Sequence, residues 1–87
     1  MKLPRVKKWR DVKRVFAEYG IEAVEGAAAG RRRPKHPYLA SPDGKKYPIP
    51  ARKNSDDIFR EYIESARRKF GLTPEEGVSD EAFYGKF

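Results

Sequence analysis

A Ser41-Pro42-Asp43-Gly44 quartet between two stretches of helical spacing constrains this chain more than any other feature. Proline fixes the backbone at the second position of such a quartet and glycine is favoured at the last, so it predicts a tight turn. The flanking residues, Arg33 to Ala40 and Lys45 to Ile49, then read as two short antiparallel strands. On the first of them the side chains of residues 36, 38 and 40 share one face, and Pro37 and Leu39 take the other. Pro37, Pro48 and Pro50 lack an amide hydrogen, which directs both strands toward a sheet edge or a bulge.

Upstream, Trp9, Val12, Phe16 and Tyr19 follow one another at spacings of three, four and three, the apolar face of a helix that Gly20 should end. Ile21 to Glu25 alternates as a short strand, and Gly26-Ala27-Ala28-Ala29-Gly30 reads as a loop, since an alanine triplet between glycines is too short to hold a helix alone. Downstream, Ser55 with Asp56 and Asp57 has the grammar of a helix start. Ile58, Phe59, Tyr62, Ile63, Ala66 and Phe70 would form that helix's apolar stripe, with Arg67, Arg68 and Lys69 in its last turn and Gly71 closing it. Thr73-Pro74-Glu75-Glu76 repeats the start signal on a small scale. The aromatics Phe83, Tyr84 and Phe87 either dock as extra core, which a chain this small favours, or form a partner-binding segment.

This order predicts an α+β fold, α-β-β-β-α, in which a three-stranded antiparallel sheet carries two helices on one face and leaves the other open. All 87 residues form one domain in this reading, with a core from about residue 7 to 72 and a C-terminal extension over 73–87. The chain has no cysteine and one histidine, so neither a disulfide framework nor a zinc cluster is expected, and no metal or cofactor. Single apolar residues among charges near Met1 offer no secretory signal, and no stretch approaches a membrane span, which leads to the expectation of a cytoplasmic protein.

Charge points to a polyanion. From Arg31 to Lys53 eight basic side chains stand against the single acid Asp43, an excess equal to the whole chain's net charge of +7. Arg31, Arg32 and Arg33 are candidate phosphate contacts, the alternative being a solvated charged run. Lys45 and Lys46 could hold phosphate while Tyr47 stacks a base; equally, Tyr47 belongs to the core and the lysines keep an edge strand soluble. His36 is the one side chain that titrates near neutrality, next to Lys35 and one strand step from Tyr38. It could remove the 2′-hydroxyl proton of RNA while cations stabilise the phosphorane, or it could simply contact phosphate or base.

These landmarks resemble the HicA-type mRNA interferase toxins over roughly residues 7 to 72. The resemblance rests on the first helix ending at Gly20, the histidine on the second strand, the Pro42-Asp43-Gly44 turn eight positions after His36, the Ile49-Pro50 strand end, and a final helix closing in Arg67 to Leu72. Pro34-Lys35 stands where members usually carry Gly-Ser or Gly-Thr, and Arg52 or Lys53 stands near the place of a second family histidine. What the resemblance implies is a double-stranded-RNA-binding-domain-like fold and metal-independent cleavage of mRNA with His36 catalytic. It also implies a cognate HicB-like antitoxin as protein partner, and the basic pattern itself makes Arg31, Arg32, Arg33, Lys35, Tyr38, Lys45 and Lys46 the expected RNA contacts. A non-catalytic RNA-binding module of the same fold is the alternative. A basic accessory to an acidic protein is a weaker one.

Overall fold

The computed structural model describes residues 2–25 and 37–87. The expected α-β-β-β-α order is present: helix α1 (Trp9–Glu18), strands β2 (Glu22–Val24), β3 (Tyr38–Ala40) and β4 (Lys46–Pro48), and helix α2 (Arg60–Lys69). Two further strands, β1 (Val6–Lys8) and β5 (Asp57–Phe59), pair with each other directly before the two helices.

Helix α1 buries Trp9, Val12, Val15 and Phe16, and Gly20, with φ at +80°, takes the left-handed turn that ends it. No side chain caps its start. The backbone amides of Trp9 and Arg10 donate instead to the carbonyls of Asp56 and Asn54, at 2.9 and 3.2 Å. The first amide of α2, that of Arg60, donates in turn to the carbonyl of Arg5 at 2.9 Å. Each helix therefore begins on the chain segment that precedes the other.

The three central strands form an antiparallel sheet in the order β2-β3-β4. Ala23, Leu39 and Tyr47 lie opposite one another and face a core that includes Val12 and Phe16 of α1 and Ile63 and Ala66 of α2. Both helices thus serve one sheet face. The turn forms as its residues predict: the Gly44 amide donates to the Ser41 carbonyl at 3.0 Å, the Ser41 hydroxyl bonds Asp43, and Gly44 sits at φ +94°.

β3 is the central strand and not an edge, which corrects the expectation drawn from Pro37. That proline lies one residue before β3, and its carbonyl still accepts from the Ile49 amide at 2.8 Å, so only one donor is forgone. β4 is the edge. Bonded pairs at Ser41–Lys45 and Pro37–Ile49 set the alternation, which turns the nitrogen of Pro48 to the free side where no donor is needed.

The start of the second helix is also corrected. Ser55 caps nothing: the Asp56 carboxylate accepts the amides of Arg52 and Lys53 at 2.7 and 3.1 Å and closes a loop, and Asp57 bonds Lys8 Nζ at 2.7 Å from within a strand. In β5 the side chains alternate, so Ile58 is buried and Phe59 is 50% exposed. Tyr62, at 38% exposed, leaves the expected stripe as well, and α2 buries Ile63, Ala66 and Arg67.

Past Gly71 the chain returns to the core through a 3-10 turn (Pro74–Glu76) and a short helix α3 (Asp80–Tyr84), which Ser79 caps by accepting the Ala82 amide at 3.0 Å. Phe83 is fully buried, its ring edge-on to Phe16 at 5.3 Å and stacked on Tyr19 at 5.8 Å. Beneath it lies Arg67, 1% exposed, which donates to Glu64 and Asp80 at 2.8 and 2.7 Å and to the carbonyls of Leu72 and Val78 at 2.8 and 3.0 Å. Burial works against its charge, but the Asp80 and Glu64 carboxylates outweigh that and raise its pKa. The Tyr84 hydroxyl donates to Glu64 at 2.7 Å, and its burial together with that bond raises its pKa too. Phe83 and Tyr84 thus dock as extra core, the alternative that a chain this small favours, and the core runs past residue 72.

Candidate nucleic-acid interface

Arg31, Arg32, Arg33, Lys35 and His36, the catalytic candidate and half of the basic cluster, lie outside the described residues. Tyr38, Lys45 and Lys46 are described. The strand register sets two rows on the outer face of the sheet: Val24, Tyr38 and Pro48 in one, Glu22, Ala40 and Lys46 in the other. Lys46 Nζ sits 5.3 Å from the centre of the Tyr38 ring and makes no ion pair among the described residues. Lys45 Nζ lies 3.8 Å from Asp43 Oδ2. The Ser41 hydroxyl, followed by the amide and ammonium of Lys45, holds the Asp43 carboxyl below the usual range. Tyr47 is partly buried and packs on the core, which decides between its two readings in favour of the structural one.

The other end of the sheet is tied down by a network that sequence reasoning missed. Glu25, just past β2, accepts from Trp9 Nε1 at 3.1 Å and from Lys13 Nζ at 2.7 Å, and Lys13 also reaches Asn54 Oδ1 at 2.6 Å. A buried indole N–H needs an acceptor, which was the available signal, but nothing local to Trp9 names a residue sixteen positions away. This network joins α1, the end of β2 and the loop carrying Arg52 and Lys53, both exposed. Glu25 and Pro37 both lie at this end of the sheet, Pro37 beside Ile49. Exposed basic residues thus occur near both ends of the sheet, Lys45 and Lys46 at the turn end and Arg52 and Lys53 in the loop beside α1.

Glu25 gives a pH prediction. Burial raises its pKa, but the bonds from Lys13 and Trp9 outweigh this and leave it lowered from 4.5. A carboxyl whose folded pKa is depressed adds stability that is full above its unfolded pKa and is lost as pH falls through the folded one. The urea midpoint, followed by the fluorescence of the single tryptophan, should fall below about pH 4.5, and Glu25→Gln should flatten that fall. Asp43 and Asp56, also lowered, account for the slope that remains. An unchanged slope in Glu25→Gln would remove Glu25 from the acid response.

No protein-family model matches the chain, and neither a curated protein nor a solved structure matches it. Among the described residues no helix is long and apolar enough to cross a membrane, and no group of three or more His, Cys, Asp or Glu side chains could hold a metal ion.

Proposed function

We propose that this chain is a metal-independent endoribonuclease of the HicA type, acting on mRNA in the cytoplasm and held in check by an acidic HicB-like antitoxin. The observation that carries the reading is the outer face of the sheet, where the Tyr38 ring stands beside Lys46, a lysine with no ion pair among the described residues. The α-β-β-β-α order supports it.

In the proposed reaction the His36 imidazole takes the proton of a ribose 2′-hydroxyl, and the freed oxygen attacks the adjacent phosphorus. The 5′-oxygen leaves as it takes a proton from water, giving a 2′,3′-cyclic phosphate and a 5′-hydroxyl, and the imidazolium returns its proton to solvent. Arg31, Arg32, Arg33 and Lys35 supply the cations that stabilise charge on the phosphorane. Lys45 and Lys46 hold the RNA on the sheet. Because Tyr38 and Lys46 need no histidine to bind RNA, a non-catalytic RNA-binding protein is the second reading.

The test is incubation of wild type and His36→Ala with a long mRNA in EDTA, resolved on a denaturing gel. Fragments from wild type, reduced about a hundredfold or more in the variant, are expected. Intact RNA in both lanes, with both proteins folded and RNA retained, would leave the binding module. Equal cleavage by both proteins would end the role of His36.

A further inference from the structure

We propose that Tyr38 is a stacking platform for one unpaired base, with Lys46 covering its ring until a neighbouring phosphate draws the ammonium away; this rests on the RNA-binding reading above. The sheet separates its two tyrosines: Tyr47 packs on the core, whereas Tyr38 stands in the outer row between Val24 and Pro48, neither of which is charged. Ala40, short among its neighbours, lies next to a recess of about 310 Å³ lined by Gly20, Glu22, Ala40, Ser41 and Pro42.

An aromatic face, the short side chain of Ala40 beside it and a cation at the rim together suit a base with its phosphate. In a duplex the bases present their edges while their faces stay stacked on one another, so a single ring on a flat sheet has nothing to stack upon. The binding mode is thus opposite to the one suggested by likeness to a double-stranded-RNA-binding fold. Lys46 is suited to the exchange because its only described partner is the Tyr38 ring, at 5.3 Å. An ammonium over a ring at the surface is weakly held, and a phosphate oxygen offers it a charge-assisted hydrogen bond. Two acids share this surface. Asp43 is engaged by Ser41 and faces Lys45 at 3.8 Å, and Glu22 lies across Ala40 from Lys46. Glu22 repels phosphate from the β2 side of the sheet, which leaves the β4 side, with Lys46 and Pro48, for the backbone.

The test uses the full chain and a fluorescent oligoribonucleotide methylated at every 2′-oxygen, so that it cannot be cleaved, offered single-stranded and as a duplex. Tyr38→Leu, which keeps bulk on the strand, should weaken single-strand binding about tenfold, while Tyr38→Phe binds as wild type. Lys46→Ala should lower the slope of log affinity against log salt by about 0.7. Single-strand binding unaffected by Tyr38→Leu, or a duplex bound as tightly as the single strand, would overturn the proposal and leave the RNA reading standing. Wild type that binds neither form would overturn both.

Discussion

Arg67→Ala should lower the unfolding free energy by about 3 kcal/mol or more, the cost typical of removing one member of a buried ionic cluster. Alanine leaves the carbonyls of Leu72 and Val78 without their donor and Glu64 and Asp80 without their cation. It also withdraws the guanidinium plane that lies 4.6 Å from the centre of the Phe83 ring and 5.4 Å from that of Tyr84. Because Glu64 and Asp80 remain partly exposed, they can rehydrate, which keeps the loss near the lower end of the range for buried pairs. Arg67→Met restores much of the volume and should recover part of the loss, separating packing from charge. In thermal unfolding the alanine variant should melt about 12 °C or more below wild type. A shift of a few degrees would mean that the cluster is nearly neutral in energy.

Ending the chain at Leu72 should abolish cooperative unfolding altogether. The truncation removes Phe83, fully buried, and Tyr84, 4% exposed, and opens Phe16, Tyr19 and Arg67 to water. Phe→Ala in a core costs about 3–5 kcal/mol by itself. A domain of this size has only about 5–15 kcal/mol in all. Losing two such aromatics along with the cap over Arg67 should therefore leave mostly unfolded chain, visible as a flat melting curve by far-ultraviolet circular dichroism. Phe83→Ala alone should keep a transition, shifted down. A truncated chain that still melts cooperatively near the wild-type temperature would show that residues 73–87 merely decorate the fold.

What could be read from the sequence was what depends on near neighbours. The Ser41–Gly44 turn, the closure of α1 at Gly20 and the division of Tyr38 from Leu39 each follow from a few adjacent residues and a period of two or 3.6. Strands β1 and β5 were not legible, because three residues carry little periodicity and Ser55-Asp56-Asp57 imitates a helix cap. The acids serve instead a loop and a strand partner some fifty positions away. Arg67 reads as one of three cations in the last turn of a helix; the docking of Phe83 and Tyr84 as core is legible, but nothing near Arg67 announces that they close over it. Of the candidate site, the sequence singled out Tyr38, Lys45 and Lys46, and left Tyr47 undecided between stacking and core until its face of the sheet was known.

The starts of α1 and α2 carry a thermodynamic consequence. The first amide of each helix is satisfied by the strand segment leading into the other, Trp9 by Asp56 and Arg60 by Arg5. Neither helix can have its opening turn completed while the other's approach is frayed, and releasing either segment leaves donors without acceptors at both. The molecule thus couples its two long helices into one melting unit, although the pairing that joins their approaches is only three residues long.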